Sequence, residues 1–397
     1  MQVIKIKKEV LNILDGIKER LFSLSCDFYH NPETGLKEYK TSAACVNILR
    51  EFGFKVDKGV AGLETAFKAV CGNGKPAIAL LIEMDALPQI GHGCGHNISG
   101  IASIGAAIAV SKVIPKTGGS VVALGTPAEE IGVGKIAMIK AGVFEGFDAA
   151  MMAHPSSKRM VARIFLGLIR LNLHFRGKPS HASAYPEEGV NALDAVIQTF
   201  NSISALRQQL RSDVRIHGII TDGGAAPNII PEKASASFYV RAKDLNELYS
   251  VKEKVLNCAR GAALATGCEL TIEEGADMNA PLKLNKALAD VYRRQMQFLG
   301  LQEDDLPSDK NVGSSDIGNV SQVLPTIHPH ILLKRGINIH TREFADATIT
   351  GDGKNAIMEG AKTLALTALE LIMDKEAMER VKEEFKRGAD YPPLSRD

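Results

Sequence analysis

"PAIALLIEMDALP", residues 76–88, is an apolar run that closes on acids. Ala77 to Ile82 carry no polar side chain, and Glu83 and Asp85 follow at the end of the run. An unbroken apolar stretch of this length reads as a strand buried on both faces. Such strands belong to parallel sheets covered by helices, so the neighbouring segments decide the fold. Upstream, "MQVIKIKKEVLNILDGIKERL" is an amphipathic helix with Val10, Leu14, Ile17 and Leu21 on one stripe. A second helix is expected near residues 37–52. Downstream come a glycine-bounded loop, the small-residue helix "SGIASIGAAIAVS", the strand "GSVVALGTPAEE", a helix near 135–141 and the strand "FDAAMMAHP". This alternation predicts an α/β domain, with a mostly parallel sheet flanked by helices.

From about Arg163 the pattern changes. "LIRLNLHFRGKPSHAS" alternates as a strand, and a helix over 191–210 carries Leu193, Val196, Phe200, Ile203 and Leu210 on one side. Then come "VRIHGIITDGG", "KASASFYVRA", a helix over 246–265 and "CELTIEEG". The order β-α-β-β-α-β is that of a ferredoxin-like α+β domain. After residue 277 the α/β pattern returns, with a helix over 286–299 and one long helix over 353–386. The expected organisation is therefore a first domain in two parts, residues 1–165 and 278–397, with residues 166–277 inserted. The tail "GADYPPLSRD" is expected to be loosely ordered.

The chain has 397 residues, 45% of them hydrophobic and 23% charged, with a net charge of +1. That balance gives no reason to expect a nucleic-acid or acidic-membrane partner. No apolar run is long enough to span a bilayer, and the N-terminus does not read as a secretory signal. The six cysteines are scattered rather than densely spaced, which points to a reducing cytoplasm.

The polar residues that end the buried strands suggest where chemistry occurs. Asp85, Glu129, Glu130 and His154 each fall just past the C-terminal end of an apolar run, the edge where open α/β sheets bind ligands. Between them lies "GHGCGHNISG", residues 91–100, with His92, Cys94 and His96 at alternate positions. If the stretch is extended, the three side chains converge. They then hold a metal, or Cys94 is a nucleophile beside a base, or they only pack. A structural zinc site would need a second Cys-x-x-Cys pair, and there is none. A catalytic site leaves a position open for water and draws on carboxylates, and His340 in "NIHTREFAD" supplies a further imidazole. Adjacent glutamates at one strand end can divide the work, one ligating while the other acts as a general base.

Taken together, "MDALP", "GHGCGHN", "TPAEE", "AHP", "GKPSHAS", "APNIIPEKA", "YVRA", "GSSDIGNVS" and "HTREFA" resemble the aminoacylase/carboxypeptidase (M20) family of dinuclear metallohydrolases. Within it they are most similar to the Cys-Gly-His amidohydrolases, on the aminobenzoyl-glutamate hydrolase and Xaa-Arg dipeptidase branch. The resemblance implies that Cys94, His96, Glu130, His154 and His340 bind two divalent ions, Zn²⁺ or Mn²⁺, with Co²⁺ or Ni²⁺ also suited. It implies that Glu129 is the general base and Asp85 the residue that orients the centre. The insert becomes a lid and dimerisation domain. His181 would stabilise the oxyanion across a homodimer, and Asn228 and Arg241 would bind the carboxylate of a small N-acyl or N-aminoacyl amino acid. Two positions depart from the family pattern. Glu83 stands where distant members place a histidine, and Asn97 where many Cys-type members have aspartate.

Overall fold

The computed structural model describes residues 2–275, 278–305 and 313–387. The chain divides into two compact units, Met1–Ile164 with Lys283–Asp397, and Phe165–Leu282. In chain order the strands are β1 (Lys55–Lys58), β2 (Phe67–Gly72), β3 (Ala77–Glu83), β4 (Ser120–Thr126), β5 (Ala149–Met151), β6 (His154–Ser156), β7 (Gly167–Arg176), β8 (Arg215–Asp222), β9 (Lys233–Ala242), β10 (Glu269–Glu274), β11 (Thr326–Ile327) and β12 (His330–Leu332). No helix among the described residues is long and apolar enough to cross a membrane.

The first unit is built on a six-stranded sheet in the order β1-β2-β4-β3-β5-β11. β4, β3, β5 and β11 run parallel. Every residue of β3 and β4 is buried, as expected for strands with helices on both faces. The helix His96–Ser111 is buried along its whole length. It is apolar all round because it packs on the sheet and on the helices Gln2–His30 and Gly351–Met373. Gly100 lets it lie close to the end of β3, since a Cβ there would stand 2.5 Å from the Glu83 carbonyl oxygen. This contact sets the start of the helix, and so His96, beside Glu83.

The second unit has β10-β7-β9-β8, antiparallel throughout, with the helices Ala192–Leu206 and Leu245–Thr266 packed on it. It is the ferredoxin-like arrangement. Two features of the first unit differ from the sequence expectation. The hairpin β1–β2 extends the sheet in antiparallel fashion, from short and partly exposed segments with little apolar signal. The helix expected over 353–386 is two helices, Gly351–Met373 and Lys375–Arg387. Asp374 is extended between them and its carboxylate accepts from the Ala377 N–H at 3.0 Å, an N-cap that restarts the chain as a new helix. The stretch 388–397 and the expected boundary residue 277 lie outside the described residues.

Asp148, just before β5, ties three segments together. Its carboxylate accepts from the Ala77 N–H at 2.7 Å and pairs with Lys75 at 3.1 Å and Lys382 at 2.7 Å. Burial opposes its charge, but Lys382, Ala77 and Lys75 outweigh that and hold its pKa below the usual value. A depressed carboxylate stabilises the fold above its unfolded pKa of about 3.9, and that contribution is lost as pH falls through the folded value. Asp148→Asn is therefore expected to cost about 1–3 kcal/mol at pH 7, with a smaller difference from wild type at about pH 3, where the unfolded chain's aspartate is already protonated. Unfolding curves at the two pH values check this; a pH-independent difference would contradict it.

Candidate metal centre

Three adjacent parallel strands, β4, β3 and β5, end at one edge of the first unit's sheet. Asp85 follows β3, Glu129 and Glu130 follow β4, and His154 follows β5 as the first residue of β6. Cys94 and His96 arrive from the glycine-rich loop after β3. The loop is not an extended strand: Gly91 and Gly95 have φ of 73° and 84°, and His96 opens a helix. Gly95 also lies against Pro155, where a Cβ would come within 2.5 Å of the proline Cγ. The fold thus needs glycine between Cys94 and His96 on two grounds, backbone conformation and space. His340, itself left-handed at φ 63°, is fixed by its N–H donating to the Gly93 carbonyl at 2.8 Å.

The donors fall into overlapping sets whose ligand atoms lie within 4.8 Å of one another: Cys94, His96 and His154; Cys94, Glu130 and His340; His96, Glu129 and Glu130. Cys94 belongs to the first two, as a ligand shared between two ions would. Its Sγ is 3.4 Å from His154 Nε2. A sulfur and a nitrogen bound to one tetrahedral zinc stand about 3.6 Å apart, so the spacing suits one ion. His96 presents Nδ1 to the Asp85 carbonyl at 2.8 Å and to its carboxylate at 3.2 Å. Those acceptors hold a proton on Nδ1, so Nε2 is the nitrogen that faces the cluster. His96 Nε2, Glu130 Oε1 and Glu83 Oε2 are buried without hydrogen-bond partners among the described residues. Each such atom costs about 1–3 kcal/mol, and cations at their convergence would remove that cost. The donor set of thiolate, imidazole and carboxylate therefore fits divalent ions.

Charge follows burial across the site. Burial pushes the Cys94 thiol up, with His96 opposing. Burial also raises Glu130, to about 7, and lowers His154, to about 3. For His96 burial acts downward, but Cys94, Glu83 and Asp85 together hold it well above its ordinary value. Burial and then the neighbouring Glu83 raise Glu129, while Ser315 hydrogen-bonds to it.

Not every polar residue of these loops joins the ligand sets. His92 is buried, and it joins none of these ligand sets among the described residues. Asn97 points away, donating to the Ser25 carbonyl and hydroxyl and to the Thr348 hydroxyl, so it anchors helices. His181, Asn228 and Arg241 lie in the second unit. The first two are neighbours, joined by the Ala182 N–H donating to the Asn228 carbonyl at 3.0 Å. Arg241 sits at the far end of β9, about 26 Å from its start. One copy of this unit therefore does not gather all three around a small substrate.

Other residues were not singled out from sequence. Lys135 is fully buried, with Nζ 2.8 Å from Glu83 Oε1 and 2.5 Å from Asp316 Oδ1. Burial disfavours its charge, but Asp316, Glu83 and Glu129 outweigh that and keep it protonated. Glu38, also buried, accepts from the Ala128 N–H at 2.8 Å and so holds the turn that delivers Glu129. His328 and His330 pack beside His154, with ring centroids 5.3 and 5.6 Å away.

Residues 166–266 match the model of the peptidase dimerisation domain of the M20 family. The mouse Xaa-Arg dipeptidase is 36% identical over 96% of this chain and 92% of its own length. The chain belongs to the M20 family. One of the p-aminobenzoyl-glutamate hydrolase polypeptides of Escherichia coli K12 is 27% identical over 96% of this chain and 95% of its own length. A dinuclear metal-binding M20 peptidase from Bacillus subtilis has the same fold, at a TM-score of 0.71 and 20% identity over 90% of this chain and 99% of that one. As an M20 member the chain is a hydrolase of small amides.

Proposed function

We propose that this M20 enzyme hydrolyses the amide bond of a small N-acyl or N-aminoacyl amino acid, with dipeptides ending in a basic residue as the first candidates. The observation that carries the reading is the pair of ligand sets sharing Cys94, with Glu129 against them and outside both. Cys94, His96 and His154 would hold one ion, and Cys94, Glu130 and His340 the other. When bound, the ions supply Lewis acidity that polarises the carbonyl and acidifies water. Glu129 then takes the proton of the attacking water and returns it to the leaving nitrogen. Its raised pKa suits a group that must carry the proton between the two steps. Asp85 fixes the tautomer and tilt of His96.

His181, Asn228 and Arg241 contribute to substrate binding in a homodimer. Two observations support this. Arg241 lies about 26 Å along β9 from the His181–Asn228 end, so a second copy can supply the group that one copy cannot. The edge strand β8 also exposes Ile219 (65%) and Ile220 (46%), apolar residues that a partner strand would cover. The six free thiols fit a reducing cytoplasm, where we place the enzyme. Zn²⁺ and Mn²⁺ are the first candidates for the ions, with Co²⁺ and Ni²⁺ next.

The test is hydrolysis of dipeptides ending in Arg, Lys or ornithine, aminobenzoyl-glutamate, hippurate and N-acetyl amino acids. Each is run as purified, after chelation, and after returning Mn²⁺ or Zn²⁺. Activity that disappears with chelator and returns with metal is expected, with the basic dipeptides fastest. Turnover that survives chelation but falls to iodoacetamide would overturn the metal-centred reading.

A further inference from the structure

The buried cluster around Lys135 holds more carboxylates than its one ammonium can pair with. Its ammonium meets Asp316 at 2.5 Å and Glu83 at 2.8 Å, and Glu129 is close enough to form a third ligand-spaced carboxylate with them. Lys135 and Asp316 alone would balance. Glu83, only 1% exposed, is a second buried carboxylate on the same ammonium, and its other oxygen faces the His96 imidazole. The two oxygens of Glu83 differ. Oε1 is held by the ammonium, whereas Oε2 has no hydrogen-bond partner among the described residues and lies 3.3 Å from His96 Nε2, which also has none there. Two light donor atoms on one tetrahedral ion, each at about 2.05 Å, stand about 3.3–3.4 Å apart.

We propose that Glu83 is a further carboxylate ligand of the metal centre, presented through Oε2 to the ion that His96 binds, and that Lys135 is its positioning residue. Lys135 occupies Oε1, fixes the rotamer, and leaves one oxygen for the ion. Asp316 holds Lys135 in turn, through both the ammonium and the Lys135 N–H at 3.1 Å. The assignment rests on the dinuclear reading given above, and the test separates the two.

Wild type, Glu83→Gln and Glu83→Asp are loaded with Co²⁺. Their visible absorption is recorded, and metal retention is measured against graded chelator. Glutamine keeps the size and an oxygen for Lys135, and Asp316 still balances the lysine, so the variant is expected to fold. Wild type is expected to hold two ions. Glu83→Gln should hold one of them at least about 10-fold more weakly and shift the Co²⁺ bands. Glu83→Asp, which keeps the charge but withdraws it by one methylene, should fall between. Lys135→Met combined with Asp316→Asn removes the clamp without unbalancing charge. It should weaken the same ion and lower kcat more than it changes KM. Wild-type retention and an unchanged spectrum in Glu83→Gln overturn the assignment while leaving the dinuclear centre standing. A wild type that takes up no Co²⁺ overturns both.

Discussion

Glu129→Gln is expected to lower kcat by about 10²–10⁴-fold with two metal ions still bound. Glutamine matches glutamate in shape and can still accept the hydrogen bond from Ser315, so the loop after β4 should keep its course. What it lacks is a lone pair basic enough to take a proton from water. Glu130 cannot substitute, because it sits in the ligand set with Cys94 and His340, and its Oε2 is 4.0 Å from His340 Nε2. Glu129 instead approaches His96 Nε2 at 3.9 Å from outside the two Cys94 sets. Metal analysis and steady-state kinetics on the same preparation decide the point. Loss of metal together with activity would make Glu129 a ligand. Activity within a few-fold of wild type would remove it from the proton path.

Much of this site was legible from sequence because β-strand ends are legible. Asp85, Glu129, Glu130 and His154 each follow an apolar run, and the parallel order β4-β3-β5 converts that one-dimensional pattern into a single edge. Cys94 and His96 could be found because the glycines around them mark a loop. Lys135 and Asp316 could not, for a physical reason. A buried lysine reads from sequence as an exposed helix residue, and its partner lies 181 positions away. Glu83 is a similar case. At the end of an apolar strand it looks like a boundary residue, and only the packing of the helix His96–Ser111 through Gly100 shows that it is sealed in. Arg241 needs the structure for a different reason. Its motif is plain in the sequence, but strand length decides which end of the unit it occupies, and the structure separates it from His181 and Asn228.

Cys94→Ala is expected to reduce metal content below two ions per chain and lower activity by about 10²–10⁴-fold, the several kcal/mol that a metal contributes to such a reaction. Cys94 is common to the set containing His154 and the set containing His340, so its loss weakens both positions at once. The same substitution would also inactivate an enzyme that used Cys94 as its nucleophile, so activity alone does not separate the two mechanisms. Metal content does. A nucleophile mutant keeps its ions, and excess Mn²⁺ or Zn²⁺ does nothing for it. A ligand mutant loses ions and regains part of its rate when metal is raised. The surroundings of the thiol favour the second outcome. Cys94 is buried, burial pushes its pKa up, and it lies 3.4 Å from a His154 that burial holds neutral. A nucleophilic cysteine needs an accessible sulfur drawn to the thiolate, whereas here burial outweighs the pull of His96. Metal ions held by Cys94, Glu130 and the three histidines would add the charge that ionises the thiol.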